Sequence, residues 1–257
     1  MGMGPDGWEE RADRIVRFIA DRVQDAKAEG VVLGLSGGLD SALVARLAVM
    51  ALGPERVRTV YMPARLPDKG EGEIAESLRR LWGHRHSVIR VDGVLEAAAE
   101  AFAVGDDALA RGNIASRARM MALYHIARRD GLLVLGTTNR SELLTGYFTK
   151  HGDGGCDVLP IAGLYKTEVR EISRHLGIPG EVIDRAPSAD LWEGQTDEGD
   201  MGMGYDELDG ILAGLERGHS DAEIAAGSGS KIEAVGKVRA QVESSRHKCK
   251  LPPQAPL

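Results

Sequence analysis

The segment Val31-Val32-Leu33-Gly34-Leu35-Ser36-Gly37-Gly38-Leu39-Asp40-Ser41, continued by the apolar stretch Ala42 to Leu52, decides the fold. VVLGLS (31–36) is a short apolar run rich in β-forming residues, so it reads as a buried strand. Two glycines then make a turn, and residues 42–52 carry apolar side chains at helical spacing. Strand, glycine turn and helix in that order open a parallel βαβ unit.

Working outward, the alternation repeats. RVRTVYM (56–62) predicts a second strand, Gly72 to Trp82 a helix, and HSVIRV (86–91) a third strand. Helical stretches within 93–103 and 107–129 lead to LLVLG (132–136) as a fourth strand, and a short fifth is expected near Val158. Strands separated by crossover-length helices imply a doubly wound, Rossmann-like α/β architecture, with a parallel sheet of about five strands flanked by helices.

Residues 8–28 form an amphipathic N-terminal helix that packs on the core or on a partner subunit, and 205–247 reads as three C-terminal helices. The stretches 146–160 and 187–204 are rich in Gly and Asp and read as long loops, which in compact domains carry function or move. The chain is therefore expected to be a single domain over 1–257, with a core at 30–186 and a mobile lid at about 187–204.

Bulk properties narrow the function. A formal charge of −7 argues against a nucleic-acid duplex or an anionic membrane as partner, since both reward basic surfaces. No apolar run is long enough to span a bilayer and the N-terminus lacks a signal-peptide pattern, so a cytoplasmic protein is expected. The only cysteines, Cys156 and Cys249, have no metal-ligand spacing and read as free thiols. The histidines show no ligand spacing either.

A loop that enters a helix N-terminus directly after a buried strand offers unpaired N–H groups and the positive end of the helix dipole to phosphate. Gly37 and Gly38 permit close approach, while Ser36 and Ser41 add hydroxyls. The Walker A lysine is missing and Asp40 stands in the loop. An acid among phosphates is repulsive unless a divalent cation lies between them, which makes Asp40 a candidate magnesium ligand; its alternative role is a helix cap. Ligands of such sheets collect at the carboxyl ends of the strands, commonly between the first and fourth. Glu142, in Gly136-Thr137-Thr138-Asn139-Arg140-Ser141-Glu142, is the expected second carboxylate there, although Asn139 and Glu142 also have capping-box spacing.

SGGLDS (36–41) resembles the signature of the N-type ATP pyrophosphatases, which split ATP between the α- and β-phosphates and activate an oxygen nucleophile as an adenylate. GNIASRARM (112–120), GTTNRSE (136–142), GYFTKHGDGGCDVLPI (146–161), LYKTEVR (164–170) and PSADLWEGQTDE (187–198) follow in the order found in NAD synthetases, so the chain resembles that family over about residues 31–248. The resemblance implies ATP-dependent amidation of nicotinic acid adenine dinucleotide (deamido-NAD) with ammonia, giving NAD, AMP and pyrophosphate. By motif position it implies that Gly34, Leu35, Ser36, Gly37, Gly38, Leu39, Asp40, Ser41, Thr137, Lys166 and Ser188 contact ATP. Asp40 and Glu142 would bind magnesium, with Asp40 and Lys166 at the chemical step. Arg117, Lys150, Asp157, His247 and Lys248 would bind the dinucleotide. Ser188 departs from the threonine expected there but keeps the hydroxyl.

Arg117 and Arg119 are two positions apart and cannot share one helix face, so one of them is expected to face the site. The resemblance further implies a homodimer. About 30 residues precede the first strand, so free ammonia or a separate subunit is the expected nitrogen source. A thiolating enzyme would call for catalytic cysteines and a basic surface, and a non-catalytic nucleotide binder would need no paired carboxylates.

Overall fold

The computed structural model describes residues 5–64, 70–188 and 196–255. In chain order the elements are α1 (Pro5–Asp25), β1 (Gly30–Gly34), α2 (Leu39–Leu52), β2 (Val57–Tyr61), α3 (Glu71–Trp82), β3 (Arg85–Val88), α4 (Asp92–Ala101), α5 (Ala108–Asp130), β4 (Leu132–Val134), α6 (Arg140–Thr145), α7 (Lys166–His175), α8 (Gly180–Ile183), α9 (Asp197–Met201), α10 (Tyr205–Glu216), α11 (Asp221–Ser228) and α12 (Ile232–Ser245).

All strand pairs are parallel and the order is β3-β2-β1-β4, so the chain leaves β1 in one direction and returns on its other side with β4. Successive residues of β1 face opposite ways, as the strand period requires. Val31, Leu33 and Leu35 pack with α1, α2 and α7 residues such as Ile19, Leu43 and Val169. Val32 faces the other layer, with Ala118, Leu123 and Ile126 of α5. Both faces are thus covered, which explains why β1 is apolar throughout. Sequestering one such side chain as large as Leu33, 0% exposed, stabilises the fold by roughly 1.5–3 kcal/mol.

The sheet has four strands where about five are expected. The region near Val158 makes a single parallel bridge to Leu135. Gly154 and Gly155 precede it and Pro160, which has no N–H to donate, follows it, so no ladder propagates. The Asp157 carboxylate takes part of that missing strand's role by accepting the Val134 N–H at 2.8 Å on the free edge of β4.

The apolar stripe of α1 is used by the protein's own core, with Ala12, Ile19 and Val23 buried. The C-terminal helices close a third cluster around Tyr205, Leu208 and Ile211, against which Leu144 and Tyr165 pack. Within the expected loop 187–204, residues 197–201 are helical, and the Asp197 N–H donates to the Pro187 carbonyl at 3.0 Å. The remainder of the expected lid, 189–195, lies outside the described residues. No described helix is long and apolar enough to cross a membrane.

Candidate active site

β1 delivers the chain into the loop Leu35–Gly38, and α2 begins at Leu39. Gly37 has φ +79°, and a Cβ there would lie 3.1 Å from the Glu71 carbonyl oxygen, so both backbone and space demand glycine. Serines brace the loop from within. Ser41 Oγ donates to the Gly38 carbonyl at 2.9 Å, and the Ser36 and Gly38 N–H groups donate to Ser41 Oγ and Ser36 Oγ, each at 3.2 Å. Ser41's hydroxyl proton is therefore committed inside the loop. Gly38 supplies no side-chain cap to α2, which leaves the helix's first N–H groups for an anion.

Asp40 does not cap. It stands in the first turn of α2, where Oδ1 accepts from Asn139 Nδ2 at 3.0 Å and Oδ2 forms an ion pair with Lys166 Nζ. Asn139 and Glu142 do form a capping box at the start of α6, with Glu142 N–H donating to Asn139 Oδ1 at 3.0 Å and Asn139 N–H donating to Glu142 Oε2 at 3.1 Å. Glu142 is thus a capping residue, and it also lines the cavity. Asn139 is completely buried and is the hinge pin of the arrangement, bonding both acids at once.

Burial, and then the charge of Asp40, raise the Glu142 pKa well above its ordinary 4.5. For Lys166 burial works against the charge, but Asp40 and Glu142 outweigh it and hold the ammonium. Asp197 adds a further buried acid, raised by burial. Its Oδ2 accepts from the Tyr205 hydroxyl at 2.9 Å, while its buried Oδ1 has no hydrogen-bond partner. These acids outnumber the one lysine beside them, and an added positive charge would favour their ionised forms.

Lys166 is the first residue of α7, and α7 is anchored from two sides. The Lys166 N–H donates to Ser141 Oγ at 3.0 Å, and Asp209 of α10 accepts from the Thr167 N–H at 2.9 Å and the Thr167 hydroxyl at 2.8 Å. Ser141 in turn donates to Asp209 at 2.5 Å. The C-terminal helices thereby fix the position of the lysine.

Asp40, Glu142, Lys166 and Asp197 line a cavity of about 660 Å³, within the range of small-molecule sites. Gly34, Leu35, Ser36, Gly38, Leu39, Asp40 and Ser41 reach it, as do Thr137, Lys166 and Ser188. Gly37 stands behind its neighbours against Glu71. Of the expected dinucleotide residues only Lys248 lines this cavity, with Nζ donating to the Gly146 and Phe148 carbonyls at 2.8 and 3.0 Å. Arg117, Lys150 and His247 form a neighbouring chain of contacts: Arg117 donates to the Lys150 carbonyl at 3.4 Å and Lys150 Nζ to the His247 carbonyl at 3.3 Å. Asp157 is exposed, and its carboxylate serves Val134 and the Tyr124 hydroxyl.

Between the two arginines of α5, it is Arg119 that lines the cavity, with Nε donating to the Met62 carbonyl at 3.0 Å. The glycine-rich loop is pinned to α5 through Asp153, which accepts from Ser116 Oγ at 2.7 Å. Cys156 also lines the cavity, but burial pushes its thiol up to about 11, so it is no nucleophile at neutral pH.

Asp197, Tyr205 and Asp209 are site residues that sequence reasoning does not single out, and Asn139 is read there only as a cap. The only signal is their presence inside or beside motifs already noted, since nothing local says that Asn139 meets Asp40 across 99 positions.

The NAD synthase family profile matches residues 11–252. The NH(3)-dependent NAD(+) synthetase of Methanosarcina acetivorans is 43% identical over 96% of this chain and 97% of its own length. That of Methanocaldococcus jannaschii is 39% identical, with 96% and 97% covered. Among solved structures, the NMN synthetase of Francisella tularensis superposes with a TM-score of 0.87 at 33% identity, covering 100% of both chains. The NH3-dependent NAD synthetase of Campylobacter jejuni gives 0.82 at 29%, covering 99% of this chain and 100% of that one. A glycine loop that carries an aspartate and no Walker lysine, a second acid beyond the neighbouring strand and a family match over nearly the whole length lead to one conclusion: the chain belongs to the NAD synthase family.

Proposed function

We propose that this protein forms NAD from deamido-NAD, ATP and ammonia, the last step of NAD biosynthesis. The observation that carries the reading is the convergence of Asp40, Glu142 and Lys166 beside an uncapped helix N-terminus, at the carboxyl ends of β1 and β4. Its similarity to NH(3)-dependent synthetases supports the acceptor and the nitrogen source.

The chemistry follows from the charges. A carboxylate oxygen of the acceptor attacks the α-phosphorus of ATP, the bond from that phosphorus to the oxygen bridging the β-phosphate breaks, and pyrophosphate leaves. Ammonia's lone pair then attacks the acyl carbon, the bond to AMP breaks, and one proton is released as the amide forms. In this scheme the loop Gly34–Ser41, Thr137, Lys166 and Ser188 hold ATP. Lys166 Nζ stabilises the charge that grows on phosphate oxygens. Lys248, with Arg117, Lys150 and His247 beyond the cavity wall, holds the acceptor; Asp157 belongs to that set on the family resemblance alone.

Asp40 and Glu142 are the residues that would hold a magnesium ion. The acid excess around Lys166 suits a hard cation, and among the described residues no three Asp, Glu, His or Cys side chains form a cage of their own. Such a half-built site suits magnesium, which takes one or two carboxylates and completes its shell with substrate phosphates and water. When bound, the ion neutralises phosphate charge and orients the leaving group.

The protein acts as one domain, in the cytoplasm, and as a homodimer. The dimer contact is drawn from Phe102, which follows α4, and from Leu109 and Met121 of α5; they are 71%, 58% and 54% exposed, and Leu109 also lines the cavity.

The full-length similarity to an NMN synthetase favours a second reading, with the mononucleotide as acceptor. Incubation with ATP, magnesium, ammonium and either nicotinic acid adenine dinucleotide or the mononucleotide decides between them. NAD and AMP with the dinucleotide preferred are expected. Formation of ADP would overturn the adenylation chemistry, and preference for the mononucleotide would replace the acceptor.

A further inference from the structure

Arg170 has no place in the scheme above, yet it lines the same cavity. It lies four residues after Lys166 on α7, so the two side chains share one helix face. Both cations stand over the ring of Tyr205, Lys166 Nζ at 5.4 Å and the Arg170 guanidinium carbon at 5.9 Å from its centroid. The cations differ in what they already hold. Lys166 is buried and paired with Asp40, and Arg185, also on the cavity wall, is paired with Glu71. Arg119 donates to the Met62 carbonyl, and Lys248 donates to two carbonyls. Arg170 is half-buried and, among the described residues, has neither an anionic partner nor a hydrogen bond, only the aromatic face beneath it.

A guanidinium with an unused fork, held on a ring at the wall of a phosphate site, is suited to two oxygens of one phosphate group. Its place selects which phosphate. α7 packs on α2, the helix that rises from the phosphate loop, whereas Arg117 and Lys150 stand on α5 and the glycine-rich loop.

We infer that Arg170 binds the pyrophosphate portion of ATP and stabilises it as the leaving group, Lys166 serving the phosphorus under attack and Arg170 the β- and γ-phosphates. As the bridging oxygen leaves the α-phosphorus with the bonding electron pair, negative charge spreads over the pyrophosphate, where the fork donates. This inference rests on the proposed adenylation. It adds a catalytic residue within LYKTEVR (164–170), a stretch in which the family resemblance gives a role to Lys166 alone.

The test uses the full-length enzyme with magnesium and inorganic pyrophosphate as product inhibitor against ATP. Arg170→Met is expected to raise the pyrophosphate inhibition constant about tenfold or more, the scale of hydrogen bonds to charged groups. It should lower kcat while leaving the KM for ammonium and for the dinucleotide unchanged. Arg170→Lys, which keeps the charge but loses the fork, is expected to fall between, and calorimetric binding of pyrophosphate to it carries the test where Arg170→Met does not fold. A pyrophosphate constant equal to wild type in a folded variant overturns the inference. So does an equal loss of dinucleotide affinity, which would make Arg170 a support for Tyr205 only. Wild-type enzyme that yields ADP fails the adenylation reading itself, a result separate from either.

Discussion

Lys166 Nζ pairs with Asp40 Oδ2 across 126 positions of sequence, joining the first turn of α7 to the first turn of α2. Each group satisfies the other's charge, and each is also expected to serve ATP, so substrate and cation must divide this pair.

Because the pair is nearly sequestered, with side chains 4% and 16% exposed, removing one partner strands the other. Lys166→Met is expected to cost about 3 kcal/mol of stability, the scale for a broken buried pair, and Lys166→Met with Asp40→Asn is expected to recover most of it. Asp40→Asn alone should cut NAD formation by at least about 100-fold, as loss of a central electrostatic group does. Urea melts of the three variants give the coupling, and simple additivity of the two single changes would refute it.

Gly37→Ala places a methyl group 3.1 Å from the Glu71 carbonyl in a left-handed backbone conformation. The strain of such a position, on the order of 1–3 kcal/mol, has to be relieved by moving the loop or α3. The expected result is a raised KM for ATP with the KM for ammonium unchanged. Wild-type ATP kinetics in this variant would mean that the loop geometry is not needed.

His84 is buried, and its Nε2 lies 3.0 Å from the Thr59 hydroxyl, which is also 2.7 Å from His86 Nδ1. Burial, then the neighbouring His86 and Arg79, lower the His84 pKa from 6.5 to about 4, while Glu76 opposes them. The unfolded chain therefore takes up this proton first. The stability that neutral His84 contributes is complete above pH 6.5 and is lost as pH falls toward 4, by about 3 kcal/mol at most. His86 is lowered in the same direction by burial. Urea midpoints measured from pH 7 to 4.5 should fall less steeply for His84→Gln than for wild type. Parallel curves would show that the buried imidazole does not set the acid limb.

Phe102→Glu with Met121→Glu is expected to weaken a dimer at least tenfold in sedimentation equilibrium, since each change buries a carboxylate in an apolar contact. A wild-type protein that sediments as a monomer at micromolar concentration would dispose of the proposed interface.

Sequence by itself determined the layers and the loop. The apolar run 31–35, the glycines 37 and 38 and the helical spacing after them are local patterns, and local sterics and burial convert such patterns directly into strand, turn and helix. Asp40 was legible for the same reason, as the acid at the end of that glycine turn. The sheet's true edge was not, because whether Val158 extends a strand depends on backbone partners and on the Asp157 carboxylate taking the Val134 N–H.

Only the tertiary structure decided how the acids are wired. Asn139 reads locally as a cap, and it is one, but packing also brings its amide to Asp40. Tyr205 and Asp209 come from α10, in which no motif is read; Tyr205 comes under Lys166 and Asp209 holds Thr167 and Ser141 only because α10 packs on α6 and α7. The physical reason is one of range: helix and strand preferences act over a few residues, whereas charge compensation in a buried site is settled between groups that the chain brings together only on folding.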